Sequence, residues 1–141
     1  MAAQVLERMP GRVKFAVAGV WAQAVVNFFA GSSLLSEVDS RLAHGQEVAE
    51  PGLARGLAYF SIAAAVLLAV SNVFAQKRLG WVWTVIVIVE TLAVVGALLG
   101  ILCVWLGLAD VSETSMLISL VLPLAIGGAL ITRPGQDWFS R

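Results

Sequence analysis

The sequence contains little charge. Charged residues make up 13% of its 141 residues, and hydrophobic residues make up 60%. Soluble domains carry about 25% charged residues, so this composition argues against a soluble protein. The formal net charge is zero, whereas a surface that binds nucleic acid needs an excess of basic residues. The composition therefore excludes nucleic acid as a partner and points to the lipid bilayer.

Cysteine and histidine are nearly absent. The single cysteine, Cys103, excludes an intrachain disulfide and any redox enzyme that works with a pair of cysteines. The single histidine, His44, lies near Glu47 and Glu50 in a polar stretch. One histidine with two carboxylates on a loop makes a poor metal site. We therefore predict no metal and no cofactor, and we interpret Cys103 as a buried, unreactive thiol.

Four long apolar runs account for most of the chain, at residues 13–35, 53–75, 81–108 and 115–132. Each is close to the ~20 helical residues that cross the hydrocarbon core of a bilayer. The polar connections are too short to cover four such helices in water. We therefore predict a single all-α transmembrane domain over residues 1–141, an antiparallel four-helix bundle. The spacing of Leu35, Val38 and Leu42 adds a short interfacial helix over residues 36–43.

The basic residues are sorted along the chain. The first and third connections, with their edges, hold only two of the nine, Arg41 and Arg55, and both of these lie in or beside the first connection. The other seven lie in the N-terminal segment, the second connection and the C-terminal segment: Arg8, Arg12, Lys14, Lys77, Arg78, Arg133 and Arg141. Connections rich in Lys and Arg stay on the cytoplasmic side of a membrane. The sorting therefore predicts a multi-pass protein of the cell membrane with both termini in the cytoplasm.

Glu90 is the only charged residue between Arg78 and Asp110. A charged side chain at the centre of a membrane helix costs about 3 kcal/mol on insertion scales. The cost is tolerated when the carboxyl group faces a protein interior, pairs with another group or is protonated. We therefore predict a neutral Glu90 at pH 7 that forms a hydrogen bond, with Gln23 as its first partner. Intramembrane ionisable residues are also the usual functional candidates.

Other polar features fall near the depth of Glu90. Gln23 lies nine residues from Lys14, Glu90 nine residues from Trp81, and Pro123 nine residues from Thr132. Each distance is ~14 Å along a helix. Asn27 follows Gln23 by one turn on the same face, and Asn72 lies nearer the cytoplasmic end of the second run. The sequence therefore predicts a polar site near the midplane, with Gln23, Asn27 and Asn72 as ligand-binding residues and Pro123 shaping the fourth helix.

Two classes of function fit this site. In the first, Glu90 acts as a general acid or exchanges a proton for a solute, in an enzyme or a proton-coupled transporter for a lipophilic or cationic small molecule. In the second, the protein is a non-catalytic accessory or assembly subunit of a membrane complex. Glu90 then fixes helix packing or pairs with a basic residue of a partner membrane protein. The sequence leaves both classes open.

Gly96 and Gly100 form a small-xxx-small motif on the third run. Such a face lets two helix backbones approach closely. We favour packing of this face within the bundle, and a homo-oligomer interface is the alternative.

The layout resembles a family of small four-span membrane proteins of actinobacteria. The resemblance is carried by the entry Lys77-Arg78-Leu79-Gly80-Trp81 and by the ending Arg133-Pro134 followed by Trp138-Phe139. It covers most of the chain and implies a four-span fold, but no particular activity. Small multidrug transporters also have four spans and one membrane carboxylate. Their carboxylate lies in the first span, whereas Glu90 lies in the third, so the chain departs from that family.

Overall fold

The computed structural model describes residues 9–107 and 113–140, with the side chains of residues 113–116 and 118 left aside. All regular structure in these residues is helical, which confirms the all-α prediction. The helices are α1 (Gly11–Ala43), α2 (Pro51–Phe74), α3 (Gly80–Trp105), α4 (Glu113–Ile131) and α5 (Arg133–Phe139), and a 3₁₀ turn, Ala75–Lys77, follows α2.

Three of these helices are long and apolar enough to cross a membrane, at Gly11–Ala43, Pro51–Lys77 and Gly80–Trp105. In the fourth predicted span, the apolar helical stretch is the shorter Ser119–Ile131. Many large hydrophobic side chains on these helices are exposed. The helices thus present a large apolar surface outward.

Helix α1 differs from its predicted extent, because residues 36–43 continue it and do not form a separate helix. The 33 residues of α1 span about 50 Å. Val38 is buried against the rest of the protein, and Asp39 accepts hydrogen bonds from Arg55 at the start of α2. These contacts hold the segment along α2. The helix ends before Gly45, whose φ of 69° is a left-handed conformation that glycine adopts readily.

The helices pack as two antiparallel hairpins. Helix α1 packs chiefly along α2, α3 packs chiefly along α4, and α1 also contacts α4. Contact between α2 and α3 is more limited. The register of the first hairpin is marked by three polar contacts from α2 to α1: Asn72 Nδ2 to Val17 O (2.8 Å), Ser61 Oγ to Asn27 O (2.9 Å) and Arg55 Nη2 to Asp39 Oδ1 (2.6 Å).

Gly31 and Gly96, one on each hairpin, differ in how closely other atoms approach them. A Cβ atom at Gly31 would lie 2.8 Å from the backbone oxygen of Ala58, so α1 and α2 approach closely there. At Gly96, a Cβ would meet no described atom within 4 Å. Gly100 is partly exposed. The structure therefore does not bring Gly96 into close contact with another helix of the chain.

The packed core lies toward one end of the hairpins. We call this the basic end, after Lys14, Lys77, Arg78 and Arg133. A layer of apolar side chains crosses the core about one turn from Glu90 toward the basic end. It takes one residue from each of the four long helices, all at most 2% exposed: Val20, Leu68, Ile86 and Ile126. We call these four residues the apolar layer.

Helix α5 folds back under the basic end. The Trp138 side chain is 5% exposed, and its Nε1 donates a hydrogen bond to Ala75 O at 3.2 Å. The Arg78 guanidinium lies 4.0 Å from the centre of the Trp138 ring, in a cation–π contact. Phe139 is buried beside it. These contacts join α5 to the connection between α2 and α3, so that α5 covers the core at the basic end.

Candidate functional site

Glu90 is the last buried residue of α3. Its side chain is 2% exposed, and the structure buries none of residues 91–105, all of which it describes. Glu90 faces α4 at Gly127, where an added Cβ would lie 4.0 Å from the Glu90 Cβ. The absence of a side chain at Gly127 leaves room for the carboxyl group between the two helices. The core of the protein therefore ends at the level of Glu90.

The Glu90 carboxyl forms no close hydrogen bond with the described residues. Both of its oxygens are sealed from solvent and lack a hydrogen-bond partner among the described residues. Gln23, 4% exposed on α1, is the polar side chain that interacts with Glu90. Gln23 Oε1 is itself without a partner in the part of the chain described. The two groups thus meet, as predicted from their common depth, but not in a well-formed hydrogen bond.

Pro123 lies beside this pair. It is buried on α4 and lines one cavity together with Gln23 and Asn27. On its other side it lines a groove of about 200 Å³ together with Glu90 and Thr91. Polar features of α1 and α3 therefore meet α4 around the proline, at the level that the rise per residue predicts.

Two adjoining cavities open on the side of Glu90 away from the basic end. One, of about 480 Å³, is lined by Gln23, Asn27, Ala93 and Pro123 among others. The second, of about 370 Å³, shares Asn27 and Ala93 with it and extends to Ser61. Because the two cavities share walls, we treat them as one space and call it the crevice.

The crevice separates the two hairpins. Its walls come from all four long helices, for example Asn27 of α1, Ser61 of α2, Ala93 of α3 and Leu122 of α4. Most of the lining is apolar, and the side chain of Gln23 closes its lower end, with Glu90 behind. A mostly apolar cavity with a few convergent polar groups is the usual form of a small-molecule site.

Asn72 lies outside the crevice. It is buried on the basic-end side of the apolar layer, where its Nδ2 donates to Val17 O at 2.8 Å. Its neighbour Ser71 is fully buried as well. The predicted grouping of Asn72 with Gln23 and Asn27 is therefore not what the structure shows, because α2 descends about one and a half turns between the crevice and Asn72.

Sequence reasoning left Gly127 and Ala93 out of the site. Gly127 makes room for Glu90, and its signal was present, since it follows Pro123 by one helical turn. Ala93 lines both halves of the crevice. Its small side chain follows Glu90 by three residues and so lies on a neighbouring part of the same face.

Within residues 9–107 and 113–140, His, Cys, Asp and Glu side chains do not gather into a group of three that could hold a metal. Cys103 is partly buried near the end of α3. Comparison of the chain with known proteins gives no match to a family model, to a curated protein or to a solved structure.

Proposed function

We propose that the protein is an integral membrane protein in which α1 to α4 form an antiparallel four-helix bundle. Three long apolar helices and their exposed hydrophobic side chains support this proposal. The basic end then lies at the cytoplasmic face of the cell membrane, with both termini there. The ion pair between Asp39 and Arg55 lies at the opposite, outer end.

We propose that the crevice binds a lipophilic or cationic small molecule, with Glu90 as its proton-active group. One observation carries this proposal: Gln23 Oε1 and both oxygens of Glu90 are buried and find no hydrogen-bond donor among the described residues. Gln23 lines the lower end of the crevice, and Glu90, which interacts with Gln23, lines the adjoining groove on the other side of Pro123. Each buried polar atom without a partner costs about 1–3 kcal/mol. A bound donor, or a proton on Glu90 shared with Gln23, removes part of that cost.

The apolar layer closes the crevice on the side of the basic end. It lies between the carboxyl of Glu90 and the basic end, whereas the crevice extends the other way between the hairpins. An enzyme that protonates a lipophilic substrate operates in this conformation. A proton-coupled transporter requires a second conformation in which the apolar layer parts. The crevice therefore has its entrance in the outer half of the bundle in either case.

Filling the crevice is expected to abolish binding. Ala93→Leu adds three carbon atoms where both halves of the crevice meet, and we expect at least a tenfold weaker affinity for adamantane-based cations, measured by titration calorimetry in detergent. Ala22→Leu is the matched control, because Ala22 is exposed and outside the crevice lining. Equal affinities in wild type and Ala93→Leu would show that the crevice is not the binding site.

The substitution Glu90→Gln tests whether Glu90 exchanges a proton, because glutamine keeps the shape of the side chain and cannot release one. We expect Glu90→Gln to fold with a thermal midpoint close to that of the wild type, because an amide supplies the missing donor. We also expect it to lose the release of about one proton that accompanies binding of a cation to the neutral acid, which is read from the buffer dependence of the binding enthalpy. If Glu90→Gln behaves as wild type while Glu90→Ala unfolds, Glu90 is structural and the proposal fails.

The second candidate function is an accessory subunit of a membrane complex. The outer part of α3 favours it, since residues 91–105 are described and none is buried. That part of α3 is free to pack against a helix of another membrane protein. If Ala93→Leu leaves the affinity for the cation unchanged, and Glu90→Gln leaves the proton release unchanged, the accessory subunit is favoured.

A further inference from the structure

We propose that the crevice selects protonated primary and secondary amines over quaternary ammonium ions of similar size. The inference rests on the proposed binding function and specifies the class of ligand. It follows from the unpartnered oxygens of Gln23, at the lower end of the crevice, and of Glu90 behind it. It also follows from the scarcity of aromatic side chains among the residues that line the crevice.

The unpartnered atoms are all acceptors. Gln23 Oε1 and the two Glu90 oxygens are each buried and without a donor within the described part of the chain. An ammonium ion with two or three N–H groups can supply donors to these three oxygens, and hydrogen bonds that involve charged groups are the stronger ones. A quaternary ammonium ion has no N–H group and leaves all three oxygens unmatched.

The walls of the crevice do not offer the cluster of aromatic rings that usually binds a quaternary ammonium ion. Such ions are recognised by cages of aromatic rings. Among the residues that line the two halves of the crevice, the structure gives one aromatic side chain, Phe60, and it lies in the half away from Gln23. The half beside Gln23 and Pro123 is lined by two small polar side chains, Asn27 and Ser119, and by four apolar ones, Val26, Ala93, Ala97 and Leu122. None of these side chains offers a ring face to a cation.

Charge favours a cation over an anion. Glu90 is the one titratable residue among those that line the crevice and the groove beside it. No lysine or arginine lines these spaces in the described structure. A bound anion would face three acceptor oxygens and no compensating charge. The cavities of about 370 and 480 Å³ are of the size that holds a compact organic molecule.

Binding of the cation moves one proton. The neutral carboxylic acid of Glu90 loses its O–H proton to the buffer as the ammonium ion enters. The product is a carboxylate paired with an ammonium ion, so the charge of the site stays balanced and one proton is released per cation bound. A quaternary ion that binds elsewhere in the crevice leaves Glu90 protonated and releases none.

Two probes with the same apolar cage test the inference. They are 1-adamantylammonium and its N,N,N-trimethyl derivative, titrated into the detergent-solubilised full chain. For wild type we expect at least tenfold tighter binding of the primary ammonium, with release of about one proton. We expect Glu90→Gln to lower the affinity for the primary ammonium to that for the trimethyl derivative. Ala22→Leu is expected to bind both probes as wild type does.

The outcomes separate the two proposals. If the trimethyl derivative binds wild type as tightly as the primary ammonium, selection by N–H donors is overturned and the binding site stands. If neither probe binds, the binding function itself fails. Gln23→Leu provides a second variant that removes one acceptor and keeps Glu90. We expect Gln23→Leu to bind the primary ammonium several-fold more weakly than wild type does and to bind the trimethyl derivative with unchanged affinity. Equal weakening of the binding of both probes would overturn the inference.

Discussion

Trp138→Ala is expected to lower the free energy of unfolding by about 3 kcal/mol, the usual scale for truncating a buried aromatic residue. The substitution removes a ring that is 5% exposed, its hydrogen bond to Ala75 O and the surface on which the Arg78 guanidinium rests. Helix α5 has seven residues, too few to be stable without its tertiary contacts. We therefore expect it to detach from the basic end when this anchor is lost. Unfolding by sodium dodecyl sulfate in mixed micelles measures the change.

Asp137→Ala is the control for this effect. Asp137 precedes Trp138 on α5 and is exposed, so its truncation is expected to change the free energy of unfolding by less than about 0.5 kcal/mol. Proteolysis near Arg133 gives a second measurement, because detachment of α5 exposes that site in Trp138→Ala and not in the control. Equal stability of the two variants would show that α5 does not contribute to the fold.

Gly31→Ala is expected to lower the free energy of unfolding by about 2 kcal/mol. The new methyl group would lie 2.8 Å from both Ala58 O and Ile62 Cγ1, and overpacking of this kind typically costs about 1–3 kcal/mol. One of the two contacts is to a backbone oxygen, which cannot move away by a change of side-chain rotamer. Relief therefore requires α1 and α2 to separate.

Gly96→Ala is the matched control, since no described atom lies within 4 Å of the added methyl group. Alanine favours the helix over glycine by up to about 1 kcal/mol. We therefore expect the Gly96→Ala variant to be as stable as wild type or slightly more stable. A dissociated oligomer in Gly96→Ala would show instead that this exposed glycine packs against a second copy.

The depth of the candidate site could be predicted from the sequence, because depth depends only on the number of residues from a helix end. Gln23, Glu90 and Pro123 were placed at one level by that count, and the structure brings them together around α4. The relative rotation and separation of helices could not be predicted in the same way. Gly96 shows this, since its small face turns outward and not toward a neighbouring described helix.

The extent of α1 was missed for a related reason. Residues 36–43 carry an amphipathic pattern that suits the surface of a membrane. The same apolar residues also suit contact with α2, and the pairing of Asp39 with Arg55 favours that arrangement. Arg55 lies 16 residues further along the chain, so its role depends on the hairpin and is not visible in the local pattern. The crevice was likewise unpredictable in shape, because it arises from the limited contact between α2 and α3.

The order of synthesis matches the order in which these helices can pack. The three polar contacts between α1 and α2 involve only residues up to Asn72, so the first hairpin can close before α3 leaves the ribosome. Gln23 then already projects from a folded surface when Glu90 is added to the chain. The later hairpin docks onto this template, with the meeting of Glu90 and Gln23 as a late step in assembly. A hairpin that docks last and leaves half of α3 unburied is also the part of the protein that is easiest to move.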